Sequence, residues 1–367
     1  MSTITPKGRG AADNPANRFI PLYREPFPDY DPSQDPAPRT LFFHDTSKSA
    51  LAENDSPDIP FRYHFNPYRG CEHGCSYCFA RPTHEYLSFS AGLDFETRIM
   101  VKEDAPRLLR KALISPKWEP QPVGVSGVTD AYQPIERRAK ITRRCMEVFA
   151  EFRNPVGIVT KSALVARDKD ILGELARHQA AAVFLSITTL DADLVRSMEP
   201  RAAAPHARLR AIRELTDAGV PCGVMFAPVI PGLNDHEAAD VLRAAADHGA
   251  RTAAFVILRL PFAVKDVFAG WLDQHLPERK AKILGRIREL RGGKLNDSTF
   301  GKRMSADGPW AGAFRELFRA AKQKARMIEP LPPLSTAAFR RPGGRQLNLF
   351  GEEDSPQRHK GHKEEED

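Results

Sequence analysis

The chain has 367 residues, 41% of them hydrophobic, and a formal net charge of +7, which is enough apolar content for at least one large core and a basic balance compatible with a polyanionic partner or with plain solvation. No apolar run reaches the length of a transmembrane span, and the stretch MSTITPKGRGAADNPANR lacks the apolar centre of a signal peptide, so the sequence points to a cytoplasmic protein with no membrane partner. Five cysteines, three of them clustered, do not form the pattern of a secreted disulfide scaffold; in a reducing compartment clustered thiols more often hold metal.

In chain order, residues 1–60 are rich in Pro, Asp, Ser and Arg with little periodicity and read as a partly disordered N-terminal extension, flexible or loosely docked. The run FRYHFNPY at 61–68 reads as an opening strand. VGVSGV at 123–128, VGIVTK at 156–161, AVFLSI at 182–187, CGVMFAPV at 222–229 and TAAFVIL at 252–258 read as buried strands. Helical patterns separate them. One covers 134–152, with Ile141, Cys145, Val148, Phe149 and Phe152 on one face; the next covers 205–218, carrying Leu209, Ile212 and Leu215 and stopping at Gly219; a third starts near Asn234 or Asp235 and ends at Gly249. Strand then helix, repeated, predicts an α/β fold: a partial (β/α)6 TIM-like barrel over 61–260, with its site at the C-terminal strand ends. A doubly wound open sheet is the rival, although no GxGxxG or GxxxxGK[ST] loop follows any strand. Residues 261–330 read as a helical extension, in which WLDQHLPERKAKILGRIREL and PWAGAFRELFRAAKQKAR are amphipathic with basic outer faces. Residues 331–367 read as a flexible tail.

The stretch RGCEHGCSYCFARP at 69–82 places Cys71, Cys75 and Cys78 in a C-x3-C-x2-C spacing. Thiolates at this density bind zinc or an iron-sulfur cluster, and the ligand count decides which. Structural zinc takes four ligands, and no fourth cysteine lies within sixty residues, so His73 or His84 would have to complete a Cys3His site. The other solution is a [4Fe-4S] cluster with three irons held by the chain and the fourth left for an outside ligand.

That spacing after the first barrel strand, with Tyr77 before the last cysteine, resembles the signature of radical S-adenosylmethionine (radical SAM) enzymes. NPYRGCEHGCSYCFARPTHEY, GVTDAYQPIE, TKSALVARD, SITTLDADLVRSMEP with its continuation RAAAPHARLRAI, and APVIPGLND are similar to the branch related to spore photoproduct lyase, over roughly residues 60–260. The resemblance implies that Cys71, Cys75 and Cys78 hold the cluster. It also implies that the open iron chelates S-adenosylmethionine, and that reductive cleavage yields a 5′-deoxyadenosyl radical that takes a hydrogen atom from substrate, with an electron donor such as flavodoxin or ferredoxin. One departure stands out: the lyase uses an extra cysteine to return a hydrogen atom, whereas GVSGVTD closes the second strand here, and Cys145 and Cys222 read as small core residues.

Polar residues end the predicted strands: Ser126, Thr129 and Asp130; Thr160, Lys161 and Ser162; Ser186, Thr188 and Thr189. Each reads equally as a turn or helix cap or as a cofactor contact. Lys161, at the end of a buried strand, needs an anion, and by resemblance that anion is the carboxylate of S-adenosylmethionine. Ser126 and Asp130 then fall near its amino group or ribose, Thr129 and Ser186 among the other cofactor contacts, and Tyr77 with Pro228, Val229 and Ile230 along the adenine. Glu199 beside Arg201 reads as a surface pair or a substrate contact, and Arg69 as a contact to cluster or substrate. No catalytic side chain can be named.

In the tail, QLNLF at Gln346 to Phe350 resembles the pentapeptide by which bacterial repair and replication proteins dock on the DNA sliding clamp. Three readings remain at this point: a radical SAM enzyme on a nucleic-acid base, the same chemistry on another substrate, and a zinc-stabilised nucleic-acid binding module without catalysis.

Overall fold

The computed structural model describes residues 5–20 and 38–342 of the chain. Its strands are β1 Leu41–His44, β2 Leu51–Glu53, β3 Tyr63–Phe65, β4 Tyr68–Arg69, β5 Arg98–Val101, β6 Val123–Val125, β7 Val156–Thr160, β8 Ala181–Ser186, β9 Cys222–Val229 and β10 Thr252–Ile257. The main sheet runs β10-β9-β8-β7-β6-β3-β2. From β3 to β10 all neighbours are parallel, while β2 closes one edge antiparallel to β3. The six parallel strands lie in chain order with no reversal, which is the arrangement of a partial barrel; a doubly wound sheet requires a switch point. The expected strand runs hold: 222–229 is reproduced in full, the runs at 123, 156, 182 and 252 end one to three residues early, and 61–68 is reduced to Tyr63–Phe65, with Tyr68 passing to β4 in a second sheet.

These strands are Val, Ile, Leu and Ala with both faces covered, so they carry apolar runs instead of alternation: Val123, Val156, Ile158, Val183, Leu185, Val224 and Phe226 are inaccessible to solvent. The helix at Pro205–Asp217 ends as expected, with Gly219 at φ +80°. The predicted helix over 134–152 is two helices, Glu136–Ala139 and Ile141–Phe152, broken at Lys140 with φ +50°. The buried Glu136 carboxylate turns inward and accepts the backbone N–H groups of Thr142 at 3.0 Å and Arg143 at 3.3 Å, which caps the second helix. The run 271–290 likewise splits into Val264–His275 and Pro277–Leu290, because Pro277 starts a helix and cannot continue one.

Both extensions are more closely attached than the sequence suggests. In the N-terminal one, β1 pairs with β5 and β2 with β3, and residues 9–11 lie against the cysteine loop. In the C-terminal one, the Ser335 amide donates to Gln179 O at 2.9 Å, the Arg340 amide to Phe152 O at 2.9 Å, and Arg341 to Trp118 O at 2.7 Å. This segment crosses the loops that precede β6, β7 and β8, at the end of the barrel opposite the C-terminal strand ends. Gln346 to Phe350 lie outside the described residues. In the helical extension, Pro309–Lys324 covers β10 by packing Phe314 and Phe318 on Phe255. Val264–His275 and Pro277–Leu290 share an apolar cluster with Cys75, Tyr77 and Met198.

Candidate active site

A cavity of about 260 Å³ opens at the C-terminal strand ends. Cys71, Cys75 and Cys78 line it from the loop after β4, and Tyr77, Ser126, Thr129, Asp130, Lys161 and Ser186 line it as well. Val229 does not: it is packed in the main core, and the cavity wall on β9 is Met225, Ala227 and Pro228. Ile230 is also buried away from the cavity, in the cluster under the C-terminal helices. Among the neighbouring polar residues, Ser162 and Thr189 serve local turns, and Thr189 also donates to Glu237 at 2.6 Å. The Leu164 amide donates to Ser162 at 3.3 Å and the Asp191 amide to Thr189 at 3.0 Å.

The cysteine loop is fixed by charge buried beneath it. Arg81, fully buried, donates to the carbonyls of Cys75 at 3.0 Å, Gly74 at 3.2 Å and Gly92 at 2.8 Å, and pairs with Glu96 at 2.6 Å. The Glu96 carboxylate also accepts the amides of Gly10 and Ala11, at 3.0 and 2.9 Å. A Cβ on Gly10 would stand 1.6 Å from Gly74 O, and Gly74 itself holds φ +66°. The N-terminal extension is thereby locked to the loop. On the other side Glu72 accepts the Ile135 amide at 2.8 Å and pairs with Arg201 at 2.9 Å. Arg201 is therefore not paired with Glu199, and Arg69 points outward to Asp45 and Ser47, at 2.9 and 2.7 Å.

Lys161 lines the cavity and also faces an acid of the chain: its Nζ lies 3.7 Å from Glu199 Oε1 and donates to Ala227 O at 2.9 Å. Glu199 is fully buried and pairs with the equally buried Arg208; it accepts from Thr188 at 2.6 Å and from the Tyr77 hydroxyl. Desolvation pushes this carboxyl up, but Arg208, Lys161 and the two hydroxyl donors overcome it and hold it at about 2. Asp130 is engaged as well. It accepts Thr160 Oγ1 at 2.7 Å and the amides of Lys161 and Tyr132 at 2.8 and 2.9 Å, with His73 Nδ1 at 3.4 Å. It thus ties the loop after β6 to the end of β7. Ser126, in the left-handed region at φ +75°, accepts the Ala131 amide at 3.0 Å, and Thr129 donates to Tyr68 O at 3.3 Å.

The donor set fits a cluster. Burial raises all three thiols, Cys71 well above its ordinary value and next by the charge of Asp130, so the bare loop holds neutral thiols; thiolates there need the compensating charge of a bound metal centre. Of the histidines that could complete a zinc site, His73 faces Asp130 at 3.4 Å, and His84 stacks on Phe89 at 5.2 Å and meets the edge of Phe95 at 5.6 Å, with both His84 ring nitrogens buried and unpartnered among the described residues.

A family model for the radical SAM superfamily matches residues 65–245, and a Mycobacterium tuberculosis protein described as uncharacterized is 38% identical over 256 residues, 68% of this chain and 74% of its own. The chain belongs to the radical SAM superfamily. Membership implies a [4Fe-4S] cluster and S-adenosylmethionine as cofactors. An uncharacterized protein of Methanocaldococcus jannaschii is 31% identical over 176 residues, 48% of this chain and 63% of its own. Among solved structures, spore photoproduct lyase complexed with dinucleoside spore photoproduct is similar at a TM-score of 0.57 with 17% identity, covering 77% of this chain and 79% of that one. A variant of that lyase with bound S-adenosylmethionine and the same dinucleoside gives 0.54 with 18% identity, covering 77% and 78%. At these identities the likeness is one of fold. Among the described residues no helix is long and apolar enough to cross a membrane.

Sequence reasoning missed three buried charged residues that support the cysteine loop and the cavity wall: Arg81, Glu96 and Arg208. Arg208 carried a readable signal, because it falls in helical phase with Ile212 and Leu215 on the buried face of Pro205–Asp217, and an arginine on an apolar stripe must meet a buried acid.

Proposed function

We propose that the chain is a radical SAM enzyme that abstracts a hydrogen atom from a nucleic-acid base. Cys71, Cys75 and Cys78 would hold the [4Fe-4S] cluster, with S-adenosylmethionine in the adjoining cavity. The observation that carries this reading is that the three thiols and the polar ends of β6, β7 and β8 line one cavity. When bound, the cofactor pair supplies a 5′-deoxyadenosyl radical by reductive cleavage. The chain's part is positional. Arg81 and Glu96 fix the cysteine loop, and Asp130 and Ser126 hold the loop after β6. The Lys161, Glu199 and Arg208 network keeps the Tyr77 ring against the cavity with its hydroxyl turned to Glu199. The apolar side chains of Val128, Val159, Met225 and Met304 border the reacting volume.

The nucleic-acid substrate rests on the basic charge and on the sequence likeness to the photoproduct lyase branch. A sliding-clamp partner bound through Gln346 to Phe350 and an electron donor such as flavodoxin or ferredoxin belong to the same proposal. Anaerobic incubation of reconstituted protein with deuterated DNA, intact or ultraviolet-damaged, tests it: deuterium should appear in 5′-deoxyadenosine, and Cys75→Ala should form none. Formation of 5′-deoxyadenosine with no label from either DNA would refute the substrate; no 5′-deoxyadenosine at all would refute the chemistry. Loss of co-elution with the clamp on deleting residues 346–350 tests the partner.

A further inference from the structure

The cations around the cavity are not alike. Lys161 is committed to Glu199, but Arg259, just beyond β10 and lining the cavity, has no hydrogen bond or ion pair among the described residues. Its guanidinium lies 4.0 Å from the centre of the Phe79 ring, which is 44% exposed. Burial and then the neighbouring Arg303 lower its pKa to about 10, so it stays charged at neutral pH.

The same pairing recurs along the rim. Arg303, next to the cavity-lining Met304, covers the exposed Phe300 ring at 4.6 Å. Three residues past Arg259, Phe262 is 56% exposed and lies 3.7 Å beneath Arg18, which also covers the exposed Phe19 at 5.0 Å. Phe262 sits at φ +49°, a costly conformation for a bulky residue, and there its ring stays outside the core. Arg18 and Arg303 are each held by an acid, Glu85 and Asp58, at 2.5 Å. These pairs orient the guanidinium groups over the rings and leave Arg259 as the unmatched charge.

Phe79 lines the cavity, and Phe262 and Phe300 lie within four residues of the cavity-lining Arg259 and Met304; exposed aromatic rings this near a cavity mark a binding surface. Rings interleaved with guanidinium groups offer π-faces for unpaired bases and positive charge for a backbone, in a way that does not depend on sequence. A peptide would ask for an open strand edge or an apolar groove at helical spacing, and a closed duplex has no free base faces to stack. We propose that this rim binds single-stranded nucleic acid, with bases stacked on Phe79 and Phe262 and a phosphate against Arg259, so that one unstacked base faces the cavity. This deepens the nucleic-acid reading above and rests on it.

The test is fluorescence anisotropy of the full chain with a short labelled single-stranded DNA, its duplex and an acidic peptide, over a salt series. The single strand should bind tighter than the duplex. Phe79→Leu and Phe262→Ala should each weaken it about tenfold. Arg259→Gln should reduce the slope of log affinity against log salt by about one. Unchanged thermal unfolding of the variants separates lost stacking from lost fold, and Phe79→Leu keeps the apolar bulk while removing the aromatic face. Equal affinity for strand and duplex, parental affinity in the ring variants, or preference for the peptide overturns the inference. Cleavage of S-adenosylmethionine by a protein that fails this binding test would leave the radical SAM chemistry standing and remove only the rim.

Discussion

The two sides of the cavity are built on opposite principles. On the side of β7 and β8, every charge is answered within the chain: Lys161 and Arg208 by Glu199, Asp130 by Thr160 and two amides. On the side of β10, Arg259 stands against an aromatic ring with no ion pair among the described residues, the charge of Asp58 reaching it only weakly after burial and Arg303. A buried charge without a partner is costly, so the first side must be complete before any ligand arrives, whereas a partly exposed arginine on a rim, with its guanidinium on an aromatic ring, is tolerated until one does. A charge at a strand end thus takes its meaning from its internal partners: Lys161 shares Glu199 with Arg208, while Arg259 shares an ion pair with nothing among the described residues.

Removing Glu199 should break the first side most severely. Glu199→Gln leaves the fully buried Arg208 without its counter-charge and should cost about 3–5 kcal/mol in urea unfolding. Acid should do the same gradually. Glu199 titrates at about 2 in the folded chain against an ordinary 4.5, so its stabilisation is complete above 4.5 and is lost as pH falls through 2. The parent should lose stability over that window relative to Glu199→Gln; parallel curves would show that the carboxylate is not held low. Gly10→Ala should come next, because its Cβ would collide with Gly74 O; a loss of about 1–3 kcal/mol is expected, with faster release of iron from the displaced cysteine loop. At the far end of the barrel, Phe339→Ala loses the ring contact with Phe152 at 6.3 Å and should cost about 1 kcal/mol. Arg259→Gln should change stability by less than about 0.5 kcal/mol; a loss as large as that of Glu199→Gln would erase the distinction between the two sides.

The barrel was legible because its strands are buried on both faces and its helix ends carry their own punctuation, as at Gly219 and Gly249. The cysteine loop was legible because three thiols at fixed spacing have few uses. What surrounds the cysteines was not. Glu96 and Gly10 meet across 86 residues, and no local pattern announces such a contact. Val229 and Pro228 are adjacent, yet only Pro228 lines the cavity. Their difference is one of strand register and of how the chain leaves β9, which composition does not encode. The N-terminal extension read as loose because it lacks periodicity, but its amides are used one by one on Glu96 and its strands add to existing sheet edges, neither of which needs a periodic pattern.

The claim beneath all of this is that Cys71, Cys75 and Cys78 hold three corners of an iron-sulfur cluster with no fourth ligand from the chain. Metal and sulfide analysis after anaerobic reconstitution measures it directly. The account predicts about four irons and four sulfides per chain, with the cluster lost in Cys75→Ala and retained in His73→Ala and His84→Ala. One zinc per chain, lost when either histidine is replaced, would contradict it.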